Sequence, residues 1–118
     1  MNRQHIVFLT VMQKGYHVEN DSLIDDEKQE LLCCWTQQKH YVVPECVKSI
    51  ADFSGNEFVE TITVKLPIEL TTHQVFASDI NLKRIDFHGR VKGIGDLTFY
   101  NCPKLKNTPE NSLNVENN

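Results

Sequence analysis

The sequence predicts a mainly β fold, a short right-handed solenoid built from about three repeats of 21–23 residues. One observation is the recurrence of phenylalanine, because Phe53, Phe76 and Phe99 are each 23 residues apart. A second is that Ile62 and Ile85, in two segments that alternate apolar and polar residues, are separated by the same 23 residues. A fixed period of roughly 20–29 residues with recurring apolar positions is typical of solenoids in which each repeat adds one turn.

The repeats share apolar residues around one phenylalanine and one position for a small polar residue or cysteine. The matching residues are Val43, Pro44, Val47, Ile50, Asp52, Phe53, Asn56, Val59 and Ile62 in the first repeat, Leu66, Pro67, Leu70, Phe76, Leu82 and Ile85 in the second, and Val91, Ile94, Gly95, Asp96, Phe99, Asn101, Cys102 and Leu105 in the third. This pattern resembles the BspA-like leucine-rich repeat, whose units read Leu-Pro-x-x-Val-x-x-Ile-Gly-x-x-Ala-Phe-x-x-Cys-x-x-Leu-x-x-Ile. The resemblance covers residues 41–105 and implies a leucine-rich-repeat solenoid, although His73 and Asp79 depart from the pattern.

The repeats differ slightly in length. Val47 and Leu70 occupy equivalent positions at a spacing of 23 residues, whereas Val91 follows Leu70 by 21. We therefore place a two-residue deletion before the phenylalanine of the first and second repeats. We expect this deletion to let His73, which stands at an apolar position of the pattern, reach solvent.

The segment before the repeats does not follow their pattern. Residues 22–24 and 30–35 are two apolar stretches joined by a polar turn, which predicts a β-hairpin. A solenoid needs an atypical end unit to cover its core, so we interpret residues 16–43 as an N-terminal cap, with Trp35 as its largest apolar side chain. Residues 6–12, rich in β-branched and aromatic side chains, predict a further strand stacked below the repeats.

The C-terminal residues 107–118 are rich in asparagine and predict a disordered polar tail. The sequence thus predicts a single domain over residues 1–106, with the cap at residues 16–43 and the repeats at residues 43–106. Leu113 and Val115 are the apolar residues of the tail, too few to cover the last repeat. We therefore expect a mobile tail and self-association through this end, where a second chain would cover the exposed core.

The alternation of residues in two predicted strands defines a surface. Ile62, Val64, Ile85 and Phe87 should point inward, because successive side chains of a strand lie on opposite faces. The residues between them should form an outward face that contacts a protein partner; they are Thr61, Thr63, Lys65, Arg84, Asp86 and His88.

The cysteines and histidines do not show the spacing of a metal site. Cys33 and Cys34 are adjacent, so they should point to opposite faces of a strand and remain reduced. Together with His40 and Cys46 they lack the paired spacing of a zinc site. The sequence therefore predicts no metal ligand and no cofactor.

One repeat position holds Asn56, Asp79 and Cys102. Side chains of this kind can hydrogen-bond the backbone of a turn, which predicts a structural role between successive repeats. The sequence shows no Ser/His/Asp or Cys/His arrangement with a supporting local motif, so we predict that the protein is not an enzyme.

The net charge and the hydropathy of the chain argue against two classes of function, nucleic-acid binding and membrane insertion. The net charge of −4 argues against nucleic-acid binding, which favours basic surfaces. No apolar run is long enough to insert into a membrane, and no signal peptide is recognised, which predicts a cytosolic location. The resemblance instead implies a cell-surface protein that adheres to other proteins. We expect a protein–protein interaction module; the alternative is an intracellular scaffold subunit built into an assembly through its uncapped end.

Overall fold

The computed structural model describes Val7, residues 9–10 and 13–106, and the backbone of residues 115–116. It is mainly β and forms a β-solenoid of about three turns with a spacing of ~21 residues. The predicted fold class is therefore confirmed. The apolar side chains of successive turns form one continuous core between the sheets.

Among the described residues, ten short strands are arranged in two sheets. They are β1 (Tyr16–Glu19), β2 (Ser22–Asp25), β3 (Glu30–Cys34), β4 (His40–Val42), β5 (Ser49–Ile50), β6 (Thr61–Val64), β7 (Ile68–Leu70), β8 (Arg84–Phe87), β9 (Val91–Lys92) and β10 (Val115–Glu116). The larger sheet has the order β1-β2-β3-β5-β7-β9-β10, and the smaller one has the order β4-β6-β8. The first and second repeats thus contribute one strand to each sheet, and the third contributes β9 to the larger sheet.

The smaller sheet follows the predicted period. Its strands are parallel, with His40 beside Thr61 and Thr61 beside Arg84. These pairs are separated by 21 and 23 residues in the chain. Ile62 and Ile85, the pair from which the period was derived, are adjacent and buried.

The larger sheet departs from the predicted alignment. Ile50, rather than Val47, lies beside Leu70, and Val91 lies beside Ile68 rather than Leu70. The physical reason is that β7 has two inward residues, Ile68 and Leu70, which are both buried. Ile50 of the first repeat pairs with Leu70, and Val91 of the third repeat pairs with Ile68. The predicted alignment of Val47 with Leu70, at a spacing of 23 residues, was therefore wrong.

The predicted hairpin is present as the antiparallel pair β2 and β3, and it extends to a third strand, β1, that was not predicted. Asn20 and Asp21 join β1 to β2 with φ angles of 47° and 60°. Two consecutive positive φ values are typical of a type I′ hairpin turn, and asparagine and aspartate tolerate them. Because β3 pairs with β5, this three-stranded unit is continuous with the first repeat.

The aromatic side chain that closes the core at the cap is Tyr41. Trp35, predicted for this role, is only half-buried. Tyr41 has 0% of its surface exposed, its hydroxyl hydrogen-bonds that of Ser22, and its ring centroid is 5.2 Å from that of Phe53. Tyr41 therefore extends the row of phenylalanines into the cap.

The N-terminal segment is helical at Val7, Leu9 and Thr10, so the strand predicted over residues 6–12 was wrong. A short apolar run does not distinguish a strand from a buried helical segment. A helix forms its backbone hydrogen bonds internally, so this segment does not have to pair with the edge of a sheet. The Gln13 amide donates to the Thr10 carbonyl over 3.0 Å just after this segment. Within the described part of the chain, no helix has the length and apolar character needed to cross a membrane.

The C-terminal end is partly covered by the chain itself. Val115–Glu116 pairs in parallel with Val91–Lys92, so the predicted disordered tail is wrong at these two residues. The rest of residues 107–118, including Leu113, lies outside the described residues. Val91 is fully buried, while Ile94 and Leu105 are half-buried against the core. Self-association through this end stays a prediction.

The residue after β9 is a glycine that the backbone requires. Gly93 has a φ of 96°, and a Cβ there would collide with the carbonyl oxygen of Leu70 in the neighbouring strand. We expect Gly93→Ala to lower the free energy of unfolding by roughly 1–3 kcal/mol, because both the φ value and the contact are unfavourable. Urea denaturation measures this change.

Gly95→Ala is the matched control for this prediction. Gly95 has no positive φ, and its Cβ would meet no atom within 4 Å. This variant should stay within about 0.5 kcal/mol of the original chain. Equal urea midpoints for the two variants would show that the turn after β9 tolerates a side chain at Gly93.

Candidate functional site

The six residues predicted as a contact surface lie on the adjacent strands β6 and β8 of the smaller sheet or directly after them, and we call them the outer face. Lys65, Arg84 and His88 are exposed, whereas Thr61, Thr63 and Asp86 are partly buried. Of the residues predicted to point inward, Ile62, Val64 and Ile85 are buried and Phe87 is half-buried. The predicted alternation is therefore present, and the binding role of the face remains a prediction.

Parallel pairing aligns the outer face into two rows. One row runs from Thr61 to Arg84, and the other from Thr63 to Asp86. Strand β4 lengthens both rows, because His40 pairs with Thr61 and Val42 pairs with Thr63. These two residues were not predicted as part of the surface because β4 precedes the repeats, although His40 and Val42 alternate around the inward Tyr41.

The charges on the outer face are mostly compensated by neighbours. The Arg84 Nε atom is 3.0 Å from an Asp86 carboxylate oxygen on the same strand. The Lys65 ammonium is 4.0 Å from Glu45, a long contact between exposed groups. Exposed ion pairs of this kind contribute little to stability, so these side chains can reorient towards a partner at little energetic cost.

A second surface lies on the larger sheet. It is an open groove of about 470 Å³ beside β7 and β9. Its lining includes the apolar residues Leu66, Pro67 and Val47 and the cations Lys48 and Lys92. Leu66 keeps 46% of its surface exposed, so this groove is the strongest alternative location for a contact.

A polar column runs through the interior behind the phenylalanines. Asn56 accepts hydrogen bonds from the amides of Phe58 and Val59 over 2.8 and 2.9 Å and donates to the Thr36 carbonyl over 2.9 Å. The backbone amide of Asn56 donates a further hydrogen bond to the Asp79 carboxyl over 2.8 Å. These contacts confirm the predicted structural role of this repeat position.

Asp79 is the unusual member of the column. Its side chain is fully buried, and its Oδ2 atom has no hydrogen-bond partner among the described residues. Burial raises the pKa of Asp79 to about 8, despite the hydrogen bond from the Asn56 amide. The Cys102 thiol, next in the column, donates to the Phe76 carbonyl over 3.0 Å, and burial raises its pKa. A buried neutral carboxyl and a half-buried protonated thiol support packing between turns rather than chemistry.

A cluster of polar side chains joins the cap to the first repeat, and it was not predicted from the sequence. The Nε2 atom of His17 is 3.1 Å from Glu19 Oε1, and the Cys46 thiol is 3.6 Å from the same oxygen. The Nδ1 atom of His17 hydrogen-bonds Asp26. Hydrogen bonds to Asp26 and Glu19 raise the pKa of His17, and burial together with Glu19 raises the pKa of Cys46.

The zinc alternative rejected from the sequence involved other residues. Cys33, Cys34, His40 and Cys46 are not brought together as one metal-ligating group among the described residues. His17, Glu19 and Cys46 are the group that meets that geometry in the described part of the chain. The alternation His17-x-Glu19 on a strand was the available signal, but nothing in the sequence pairs it with Cys46.

The chain matches no known family model, no curated protein and no solved structure.

Proposed function

We propose that this solenoid is a non-enzymatic protein-binding module that contacts an extended segment of its partner through the outer face. The observation that carries the proposal is the pair of aligned rows on three parallel strands, from His40 to Arg84 and from Val42 to Asp86. Regularly spaced side chains on stacked strands suit the binding of extended surfaces. The resemblance to BspA-like leucine-rich repeats supports the same class of function.

The outer face, lengthened by strand β4, supports a polar contact with one apolar residue at its edge. Val42 keeps 39% of its surface exposed in the first strand of the face. Thr61 and Thr63 offer hydroxyl groups beside it, and Lys65 and Arg84 offer cations within reach of a partner's carboxylates. The proposed contact is therefore mainly polar, with Val42 as its apolar part.

A cross-linking experiment identifies the partner and locates the surface. A photoreactive amino acid at Thr63, at the centre of the outer face, should cross-link one discrete protein in cell extract. The same amino acid at Glu69, which is exposed on the larger sheet, should not. A product that forms only from Glu69 would move the contact to the groove beside β7 and contradict the proposal.

Charge reversal then tests the outer face with the purified partner. We expect the double variant Lys65→Glu and Arg84→Glu to weaken binding by at least about tenfold, since both cations face the partner. Its free energy of unfolding should change by less than about 0.5 kcal/mol because both side chains are exposed. Calorimetric titration measures the affinity.

The matched control makes the same charge change on the other sheet. Lys48→Glu with Lys92→Glu alters two exposed lysines beside the groove. This variant should bind the partner like the original chain. Equal loss in both double variants would indicate a general electrostatic effect, and loss in the control alone would place the contact in the groove.

A further inference from the structure

The cluster at the junction between the cap and the first repeat contains three different metal-ligating side chains. His17 and Glu19 lie on β1 and are separated by one residue, so they project from the same face of the strand. Cys46 comes from the turn between β4 and β5. One ligand atom from each of the three residues lies within 4.8 Å of the other two.

The spacing of these atoms fits tetrahedral coordination. Zinc binds imidazole nitrogen and carboxylate oxygen at about 2.0–2.2 Å and thiolate sulfur at about 2.3 Å, so tetrahedral ligand atoms are about 3.4–3.6 Å apart. The Cys46 sulfur lies 3.6 Å from Glu19 Oε1, and His17 Nε2 lies 3.1 Å from the same oxygen. His17 and Cys46 each have a ligand atom within 4.8 Å of the other, so side-chain movements of about 1 Å would place all three around one ion.

Asp26 completes the arrangement on the far side of the histidine ring. Its carboxylate hydrogen-bonds the Nδ1 atom of His17, which directs the Nε2 atom towards Glu19 and Cys46. Metal-bound histidines usually donate their second ring nitrogen to a carboxylate or carbonyl, which fixes the ring orientation. Asp26 is itself held by the fold, since its amide donates to the Gly15 carbonyl over 2.8 Å.

We propose that His17, Glu19 and Cys46 bind a divalent zinc ion, with Asp26 as the positioning residue for His17. The combination of one thiolate, one imidazole and one carboxylate is suited to a borderline-soft divalent ion and unsuited to calcium or magnesium, which take oxygen ligands. The ion replaces the proton of the Cys46 thiol and the proton on His17 Nε2, and both protons are released to solvent. Three protein ligands leave a fourth position for water.

The ion would link parts of the fold that are distant in sequence. Cys46 follows Glu19 by 27 residues, and β1 is the outermost strand of the larger sheet, paired with β2. A bond from β1 to the turn of the first repeat would therefore hold the cap against the repeats. The proposal is independent of the partner-binding function of the outer face, because the two sites share none of their residues.

Cobalt(II) provides a direct probe in the full-length chain after treatment with a chelator and a reductant. We expect titration with cobalt to produce the near-ultraviolet charge-transfer absorption of a cobalt–thiolate bond with a stoichiometry of about one ion per chain. Zinc should then displace the cobalt and abolish the absorption. Zinc should also raise the thermal unfolding temperature of the original chain, since it binds the folded state.

Three variants assign the site. Cys46→Ser should abolish the cobalt–thiolate absorption, whereas Cys102→Ser, the same change at another half-buried cysteine, should retain it. His17→Gln should lower the zinc affinity by more than about 100-fold, and Asp26→Asn by about 10–100-fold while the absorption persists. Circular dichroism checks that each variant is folded, and His17→Gln keeps the test decisive if Cys46→Ser does not fold.

Two results would overturn the proposal. One is the absence of a thiolate absorption band in the original chain at saturating cobalt. The other is an equal zinc affinity of the original chain, folded His17→Gln and folded Cys46→Ser, which would place any bound metal elsewhere. If Asp26→Asn bound zinc as tightly as the original chain, the positioning role of Asp26 would be excluded.

Discussion

Replacing Asp79 with asparagine is expected to raise the free energy of unfolding at pH 7 by roughly 3–5 kcal/mol. The carboxyl has a pKa of about 8 in the folded protein and an ordinary value of 3.8 in the unfolded chain. At pH 7 it must therefore take up a proton on folding, which costs about 1.4 kcal/mol for each pH unit above 3.8. An amide is neutral at every pH and avoids this cost.

The substitution preserves the shape and the contacts of the side chain. The Asn56 amide donates to Asp79 Oδ1 over 2.8 Å, and an asparagine carbonyl can accept the same bond. At the position of Oδ2, which has no partner among the described residues, the protonated carboxyl presents one O–H donor and the amide presents two N–H donors. The two side chains differ mainly in the cost of protonation, and the additional unpaired N–H of the amide offsets part of the gain.

The pH dependence gives the sharper test. Because the folded-state pKa is raised, the stability of the original chain should be greatest below pH 4 as far as Asp79 is concerned. It should decrease by about 1.4 kcal/mol per pH unit up to about pH 8 and then level off. Urea denaturation at a series of pH values should show that Asp79→Asn removes this slope.

Asp96→Asn is the matched control for the pH series. Asp96 is exposed, so its substitution should leave both the slope and the free energy of unfolding within about 0.5 kcal/mol of the original chain. If Asp79→Asn and Asp96→Asn gave the same pH profile, Asp79 would be ionised in the folded protein and its burial would have no titration consequence.

The position of Asp79 could be predicted from the sequence, but its charge state could not. The 23-residue period aligns Asn56, Asp79 and Cys102, and this alignment is enough to predict a structural column. The raised pKa arises because the carboxyl is fully buried while receiving one backbone hydrogen bond. Both facts depend on how neighbouring turns close over the side chain, which no pattern of residue types specifies.

The same dependence on packing explains why the strand register predicted for the larger sheet was wrong. The period is reliable where strands are four residues long and have a clear alternation, as in β6 and β8. Strand β5 has two residues, Ser49 and Ile50, and both are buried. Such a short segment carries no alternation, so its pairing with Leu70 is fixed by the packing of β7.

The metal-ligating cluster was beyond prediction for a different reason. His17 and Glu19 belong to a strand that was missed, because the Asn20–Asp21 turn was not recognised as a hairpin signal. Even with that strand assigned, the approach of Cys46 requires the full packing of the cap on the first repeat. Long-range proximity of this kind follows from tertiary structure and leaves no local pattern.

Phe76→Ala is expected to be among the most destabilising single substitutions in the protein, with a loss of about 3–5 kcal/mol in the free energy of unfolding. Phe76 has 0% of its surface exposed and lies between two other rings. Its centroid is 6.0 Å from that of Phe53 and 5.6 Å from that of Phe99. Removing it would leave a cavity and break contacts with the turns on both sides.

Phe99→Ala should lower the free energy of unfolding by roughly half as much as Phe76→Ala. From the sequence alone, the expected loss for Phe99→Ala is also about 3–5 kcal/mol. Phe99 stacks on Phe76 with an interplanar angle of 3°, as the 23-residue spacing of the phenylalanines leads one to expect, but it is only half-buried at the end of the row of rings. Less of its surface leaves water on folding, so less transfer free energy is lost on truncation.

Urea denaturation of Phe76→Ala, Phe99→Ala and Phe58→Ala tests this order. Phe58 lies outside the row and keeps 48% of its surface exposed, so its truncation should cost less than about 1 kcal/mol. If the row of rings stabilises the whole solenoid, Phe76→Ala should lower the free energy of unfolding most among the three variants. A loss at Phe58 equal to that at Phe76 would indicate that the exposed turn, rather than the ring stack, stabilises the repeats.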